Sequence, residues 1–182
     1  MPTIPLPAGV SLQPLAAQRD PAGTDIQLYR GDWHIDPDPV QWNLVSSMQN
    51  TLRGVHVHIR HWDYLHVARG EMLLGLCDMR PWSTTHTLSA QVTLNGDTPA
   101  ALAIPPGVAH GFYFAGAIDY LYAVSHYWNE EDELGCRWND PRLSLAWPTD
   151  DPLLSARDQT AGDYRDLTRQ LAQLQARGAF RP

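Results

Sequence analysis

The chain is 182 residues long with 43% hydrophobic side chains, which supports one domain with its own core. It carries 13 basic and 20 acidic residues for a net charge of −7, and every basic residue is Arg. The absence of Lys excludes a Schiff-base lysine, a phosphate-loop lysine and any lysine acid or base. An acidic chain without a basic run argues against nucleic acid as a partner.

From the N-terminus, residues 1–40 read as an extended arm. Pro2, Pro5, Pro7, Pro14 and Pro21 deny it a long helix, because proline lacks the backbone donor a helix needs. Residues 41–160 read as a β domain. Val55, Val57 and Ile59 alternate with His56, His58 and Arg60, the period of a strand. Further strands are predicted at 64–69, 72–78, 87–94, 100–104 and 120–126, with Gly70, Asn95-Gly96 and Pro105-Pro106-Gly107 marking turns between them. Short strands at regular spacing predict an all-β sandwich or jelly roll. In residues 161–182, Asp163 is placed to cap a helix whose Tyr164, Leu167, Leu171 and Leu174 share one face, with Gly178 after it. Cys77 lies in an apolar run and reads as a buried thiol, and Cys136 is too distant in sequence to complete a CxxC pair. No apolar stretch approaches membrane-spanning length and no basic-then-apolar leader is seen. The expectation is a cytoplasmic protein without a membrane partner.

Two stretches carry the chemistry. His56 and His58, two apart on a strand, point to one face, where both could ligate a metal or one could act as a base. His110 follows the tight Pro105-Pro106-Gly107 turn at the start of the next strand. Together with Asp63 and Gly70, these residues resemble the two halves of the cupin signature, His-x-His with a carboxylate and a Gly, then Pro-x-Gly-x-x-His. That resemblance implies an all-β cupin jelly roll, a double-stranded β-helix, here followed by a short C-terminal helix.

A narrower resemblance covers about two thirds of the chain. Arg53-Gly54-Val55-His56, the stretch from Pro105 to Phe112, Leu121-Tyr122, Arg137-Trp138-Asn139-Asp140-Pro141, Trp147-Pro148 and Leu154-Ser155-Ala156-Arg157-Asp158 are similar, in order and spacing, to motifs of the dTDP-4-dehydrorhamnose 3,5-epimerase family. The resemblance implies an isomerase of deoxysugar biosynthesis. It would epimerise a nucleotide-linked 4-keto-6-deoxy sugar at C3, C5 or both, without a cofactor, as a homodimer that exchanges its N-terminal arms. His56 would be the base, Asp158 the carboxylate that fixes its tautomer, and Tyr122 the group returning the proton on the opposite face. His110 would face the enolate oxygen, Arg53 the phosphates and Trp128 the nucleobase. Gln41, Asn43, Asp63 and Glu133 fall on substrate-binding positions. Read without the resemblance, Tyr122 is equally a core aromatic, Asp158 a helix cap and Trp128 interface packing.

Two departures from that pattern stand out. Asp63 occupies the position of a lysine near the enolate oxygen. The stretch Ala22-Gly23-Thr24-Asp25-Ile26-Gln27 replaces an arm motif that supplies an arginine and a glutamate. Asp63, together with His58 where the family has no ligand, motivates a second reading on the same scaffold, a metal-dependent isomerase, lyase or dioxygenase. In it His56, His58, Asp63 and His110 hold one divalent transition metal.

Overall fold

The computed structural model describes residues 5–33, 37–129 and 132–180; Pro2, residues 34–36 of the arm and the last two residues of the helical segment lie outside the described residues. Among the described residues the chain forms β1 (Ser11–Pro14), β2 (Ala17–Asp20), β3 (Gly23–Ile26), β4 (Gln41–Ser47), β5 (Thr51–His58), β6 (Asp63–Arg69) and β7 (Glu71–Asp78). It continues with β8 (Ser89–Asn95), β9 (Ala100–Ile104), β10 (Val108–Phe114), β11 (Ile118–Val124), β12 (Glu133–Gly135), β13 (Leu153–Leu154), α1 (Ala156–Gln159) and α2 (Tyr164–Ala176).

Two sheets result. One runs β1-β9-β6-β11-β4; the other runs β12-β5-β10-β7-β8, with β13 lying parallel against β5. Leu65 and Val67 of β6, Leu102 and Ile104 of β9 and Tyr120 of β11 meet Met72, Leu74 and Leu76 of β7 and Phe114 of β10 in one core, so the sheets pack face to face as a jelly roll. β5 shows why the halves of each strand separate. Val55 and Val57 point outward with Cys77, Ala109 and Cys136, while His56 and His58 point inward. The outward set is covered by α2 through Leu167 and Leu171, and by Phe180 beyond the helix. Asp163 caps α2 by accepting from the Asp166 amide at 2.9 Å, and Gly178 follows with a φ of 71°.

The strand ends shift where turn chemistry outweighs hydrophobic pattern. β8 begins at Ser89 rather than at 87, because Thr87 sits in a turn with a φ of 66°. β10 has no alternation to read: it is buried on both faces, with the core on one side and the layer under α2 on the other. In the arm, β1 pairs with β9 of the same chain from Ser11↔Ala103 to Pro14↔Ala100, whereas β2 and β3 form a separate, exposed hairpin.

Candidate active site

The inner wall of the barrel starts from an irregularity in β5. Arg53 pairs with Phe112 and His56 with His110, so β5 carries one residue more than β10 between these pairs. Gly54 absorbs the extra residue with a φ of 117°, and a Cβ there would stand 2.8 Å from the Gly111 Cα and the His110 carbonyl. The bulge turns Arg53 and His56, three residues apart, into one cavity with His58.

The outer edge of β5 is shared by two short strands. β12 lies along His56–His58 and β13 along Thr51–Leu52. The chain passes from β13 directly into the Ser155 cap of α1, and this docking carries Asp158 to His56. His56 Nε2 lies 2.7 Å from Asp158 Oδ1, while Ser155 Oγ donates to Asp158 Oδ2 at 2.8 Å. Asp158 is buried, which by itself raises its pKa, but the hydrogen bonds from His56 and Ser155 outweigh burial and hold the carboxyl below its ordinary value. The cap of α1 is Ser155, so Asp158 is free to orient His56. With Nε2 engaged, Nδ1 is the ring nitrogen left for a ligand.

The cavity has a volume of about 310 Å³. Arg53, His56, His58, His110 and Phe112 come from one sheet; Val45, Asp63, Leu65, Tyr120, Tyr122 and Val124 come from the other. Tyr122 therefore faces His56 from the opposite wall. Burial first, and then the charge of Asp63, raise its pKa, so its hydroxyl keeps its proton at neutral pH. Arg53 Nε donates to Ser47 Oγ at 3.1 Å. At the mouth, Trp128 is 43% exposed and its indole donates to Glu133 at 2.7 Å, while its amide donates to Gln41 at 3.2 Å. Gln41 in turn donates to Asn43 at 3.2 Å. Gln41 and Asn43 do not line the cavity; they stand behind Trp128. Among the described residues the buried Nδ2 of Asn43 has no hydrogen-bond partner.

The far end of the cavity is built differently. Asp63, at the start of β6, is buried beneath three imidazoles: His58 Nε2 and His110 Nε2 each stand 3.8 Å from its Oδ2, and His61 Nε2 stands 3.7 Å from its Oδ1. All three separations exceed hydrogen-bonding distance. His110 Nδ1 faces the Val108 carbonyl at 3.1 Å, and His61 Nδ1 faces Asp132 Oδ2 at 2.9 Å. Burial, only partly offset by Asp63, depresses His58 to about 3. Burial also opposes charge on His61, but Asp132 and Asp63 overcome it and raise the pKa to about 9. Burial would raise Asp63, yet His58, His61 and His110 hold it down at about 2.

The four-ligand set of His56, His58, Asp63 and His110 is therefore not assembled. His58, Asp63 and His110 bring donor atoms within 4.8 Å of one another, but His56 is engaged by Asp158 and stands outside that group. Sequence reasoning passed over His61 and Asp132. The spacing His58-x-x-His61-x-Asp63 is a usable local signal for the first. Asp132 has none, because it meets His61 from 71 residues away. Arg157 was also missed as a cavity residue; it pairs with Glu133 at the mouth.

Fold and cavity define a jelly-roll protein with a histidine paired to a buried carboxylate and a tyrosine around a small-molecule pocket. The family model described as dTDP-4-dehydrorhamnose 3,5-epimerase matches residues 8–166. A protein of that name from Neisseria gonorrhoeae is 34% identical over 147 residues, 76% of this chain but 45% of the relative; this chain spans less than half of it. A namesake from Pseudomonas aeruginosa is 33% identical over 131 residues, 70% of this chain and 72% of its own length. The solved structure of a 3′-monoepimerase from Streptomyces bikiniensis in complex with dTDP-quinovose superposes with a TM-score of 0.81 at 25% identity, over 98% of this chain and 92% of that one. The chain belongs to the dTDP-4-dehydrorhamnose 3,5-epimerase family. That membership favours an isomerase over the metal-dependent cupin enzyme as the reading of the site.

Proposed function

We propose that the protein epimerises a nucleotide-linked 4-keto-6-deoxy sugar in deoxysugar biosynthesis. The observation that carries the proposal is the 2.7 Å His56–Asp158 pair facing Tyr122 across one cavity. His56 removes the proton from a carbon beside the C4 ketone. The C–H electron pair becomes the new C=C bond, and the carbonyl pair moves to oxygen to give an enolate. Asp158 stabilises the imidazolium so formed. Tyr122 donates its proton to the opposite face of the same carbon, which inverts the centre. A proton passes from His56 back to Tyr122 through solvent before the next turnover.

The other cavity residues fit the remainder of such a substrate. Arg53 offers a planar, bidentate donor for phosphate. Trp128, half exposed and tethered to Gln41 and Glu133, presents a ring on which a nucleobase can stack. His110 lies on the wall where the enolate oxygen would sit. The dTDP-sugar substrates named for the relatives make a thymidine-linked sugar the first substrate to try. The proposal extends to a homodimer in the cytoplasm, where activated sugars are assembled. Exposed Trp42 and Leu44 on β4, together with Met48 and the β2–β3 hairpin, offer a surface for the second copy.

Incubation with dTDP-4-keto-6-deoxyglucose in heavy water tests the reaction. Deuterium is expected at C3, C5 or both, and not after His56→Ala. No incorporation into any 4-keto nucleotide sugar overturns the proposal.

A further inference from the structure

We infer that His58, Asp63 and His110 form a binding site for one divalent transition metal ion, adjacent to the His56–Asp158 pair and distinct from it. The first argument is tautomeric. His110 Nδ1 lies 3.1 Å from the Val108 carbonyl, so it carries the hydrogen and leaves the Nε2 lone pair pointing toward Asp63. A lone pair facing a carboxylate across 3.8 Å is an arrangement of two acceptors with nothing between them. An imidazole fixed from behind by a carbonyl or carboxylate, with the far nitrogen free, is the arrangement that orients metal-ligating histidines.

The second argument is the set of unpartnered atoms. His58 is buried; among the described residues its Nδ1 has no hydrogen-bond partner, and its Nε2 stands 3.8 Å from Asp63. His61 Nε2 is likewise buried, unpartnered and turned toward Asp63 at 3.7 Å. Buried polar atoms without partners are costly, so a convergent set of them points to a missing ligand.

The third argument is distance. Ligand atoms each about 2.1 Å from one ion stand at most about 4.2 Å apart, and the two N···O separations of 3.8 Å lie inside that limit. Two buried carboxylates, Asp63 and Asp132, meet here with His61 between them and no Arg bonded to either among the described residues, so one cation stands against two negative charges. Two imidazoles and one carboxylate, with room left on the cavity side, suit Zn(II), Ni(II), Fe(II) or Co(II) rather than Mg(II) or Ca(II).

The test uses the full chain, stripped with a chelator and then titrated with Zn(II) by equilibrium dialysis and with Co(II) by visible absorption. The expected result is one ion per chain and the absorption of nitrogen- and oxygen-bound Co(II). Asp63→Asn and His58→Gln, which remove ligands from different strands, should each weaken binding by at least about 10²-fold. His56→Asn should leave binding unchanged. Melting curves in metal-free buffer establish that the variants fold. No stoichiometric binding, or binding that survives both ligand variants, overturns the inference, as does binding lost only with His56→Asn. Because no substrate is present, the outcome is separate from the deuterium assay that judges the epimerase.

Discussion

Two histidine–carboxylate groupings sit side by side in one barrel, and they are built to opposite standards. His56 and Asp158 are joined at 2.7 Å, with Ser155 on the second carboxylate oxygen. Asp63 has three imidazoles around it and none closer than 3.7 Å. The first grouping is complete in itself and can hold or move a proton. The second is held apart from behind: His110 is anchored on the Val108 carbonyl and His61 on the Asp132 carboxylate, so neither ring closes on Asp63. A complete pair and an open cluster thus come from the same residue types, separated by what fixes the far side of each ring.

The largest test of this contrast is His56→Ala. Loss of a general base is expected to slow solvent deuterium exchange by about 10²–10⁴-fold. A smaller loss would assign the proton transfer elsewhere, with the open cluster the next candidate. Asp158→Asn keeps the shape but removes the charge that holds the ring; a fall of about 10²-fold in kcat with little change in KM is expected. If KM rises instead, Asp158 shapes the pocket rather than the base.

Asp78 calibrates what a satisfied buried carboxylate contributes. Burial alone would raise its pKa, but Arg80, Ser83 and Thr85 donate to it and bring it down to about 2. A folded pKa below the unfolded value of about 3.9 means this stability is present above pH 4 and is lost as pH falls through 2. Roughly 2 kcal/mol is at stake. Thermal melts between pH 5 and 2 should therefore fall less steeply for Asp78→Asn than for the parent chain. Equal slopes would show that Asp78 does not titrate with folding.

The smallest expected effect concerns the thiols. Cys77 and Cys136 are buried under α2, and burial pushes Cys136 up to about 12. Neither should react with a disulfide reagent at neutral pH in the folded chain. A reactive thiol would blur the comparison by offering metal a second place to bind.

Much of the site could be read from the chain. The period-two run at 55–60 placed His56 and His58 on an inner face, and the Pro105-Pro106-Gly107 turn placed His110 at the head of β10. The family motifs added Tyr122 and Asp158, and these residues do meet in one cavity. Gln41 and Asn43 were legible only as positions; the structure sets them behind Trp128. Of the four residues read as metal ligands, His58, Asp63 and His110 converge while His56 stands apart beside Asp158, a separation that residue type and spacing do not show. His61 and Asp132 were missed for a related reason, since their meaning depends on a contact across 71 residues.

By itself, then, the sequence determined what is local: strand period, turn glycines, the Asp163 cap and the apolar stripe of α2. Each is a preference of a short stretch of backbone and its own side chains. It also determined that no ammonium could stand opposite the substrate oxygen, because there is no Lys to supply one. The family resemblance already implied Asp158 for His56, but only the tertiary structure shows how the two meet and which carboxylates serve His58, His61 and His110. The docking of β13 on β5 delivers Asp158 to His56, and the facing of two sheets sets Asp63 beneath His58 and His110. Such pairings follow from sheet order and register, which bring distant residues together and leave no trace in local spacing.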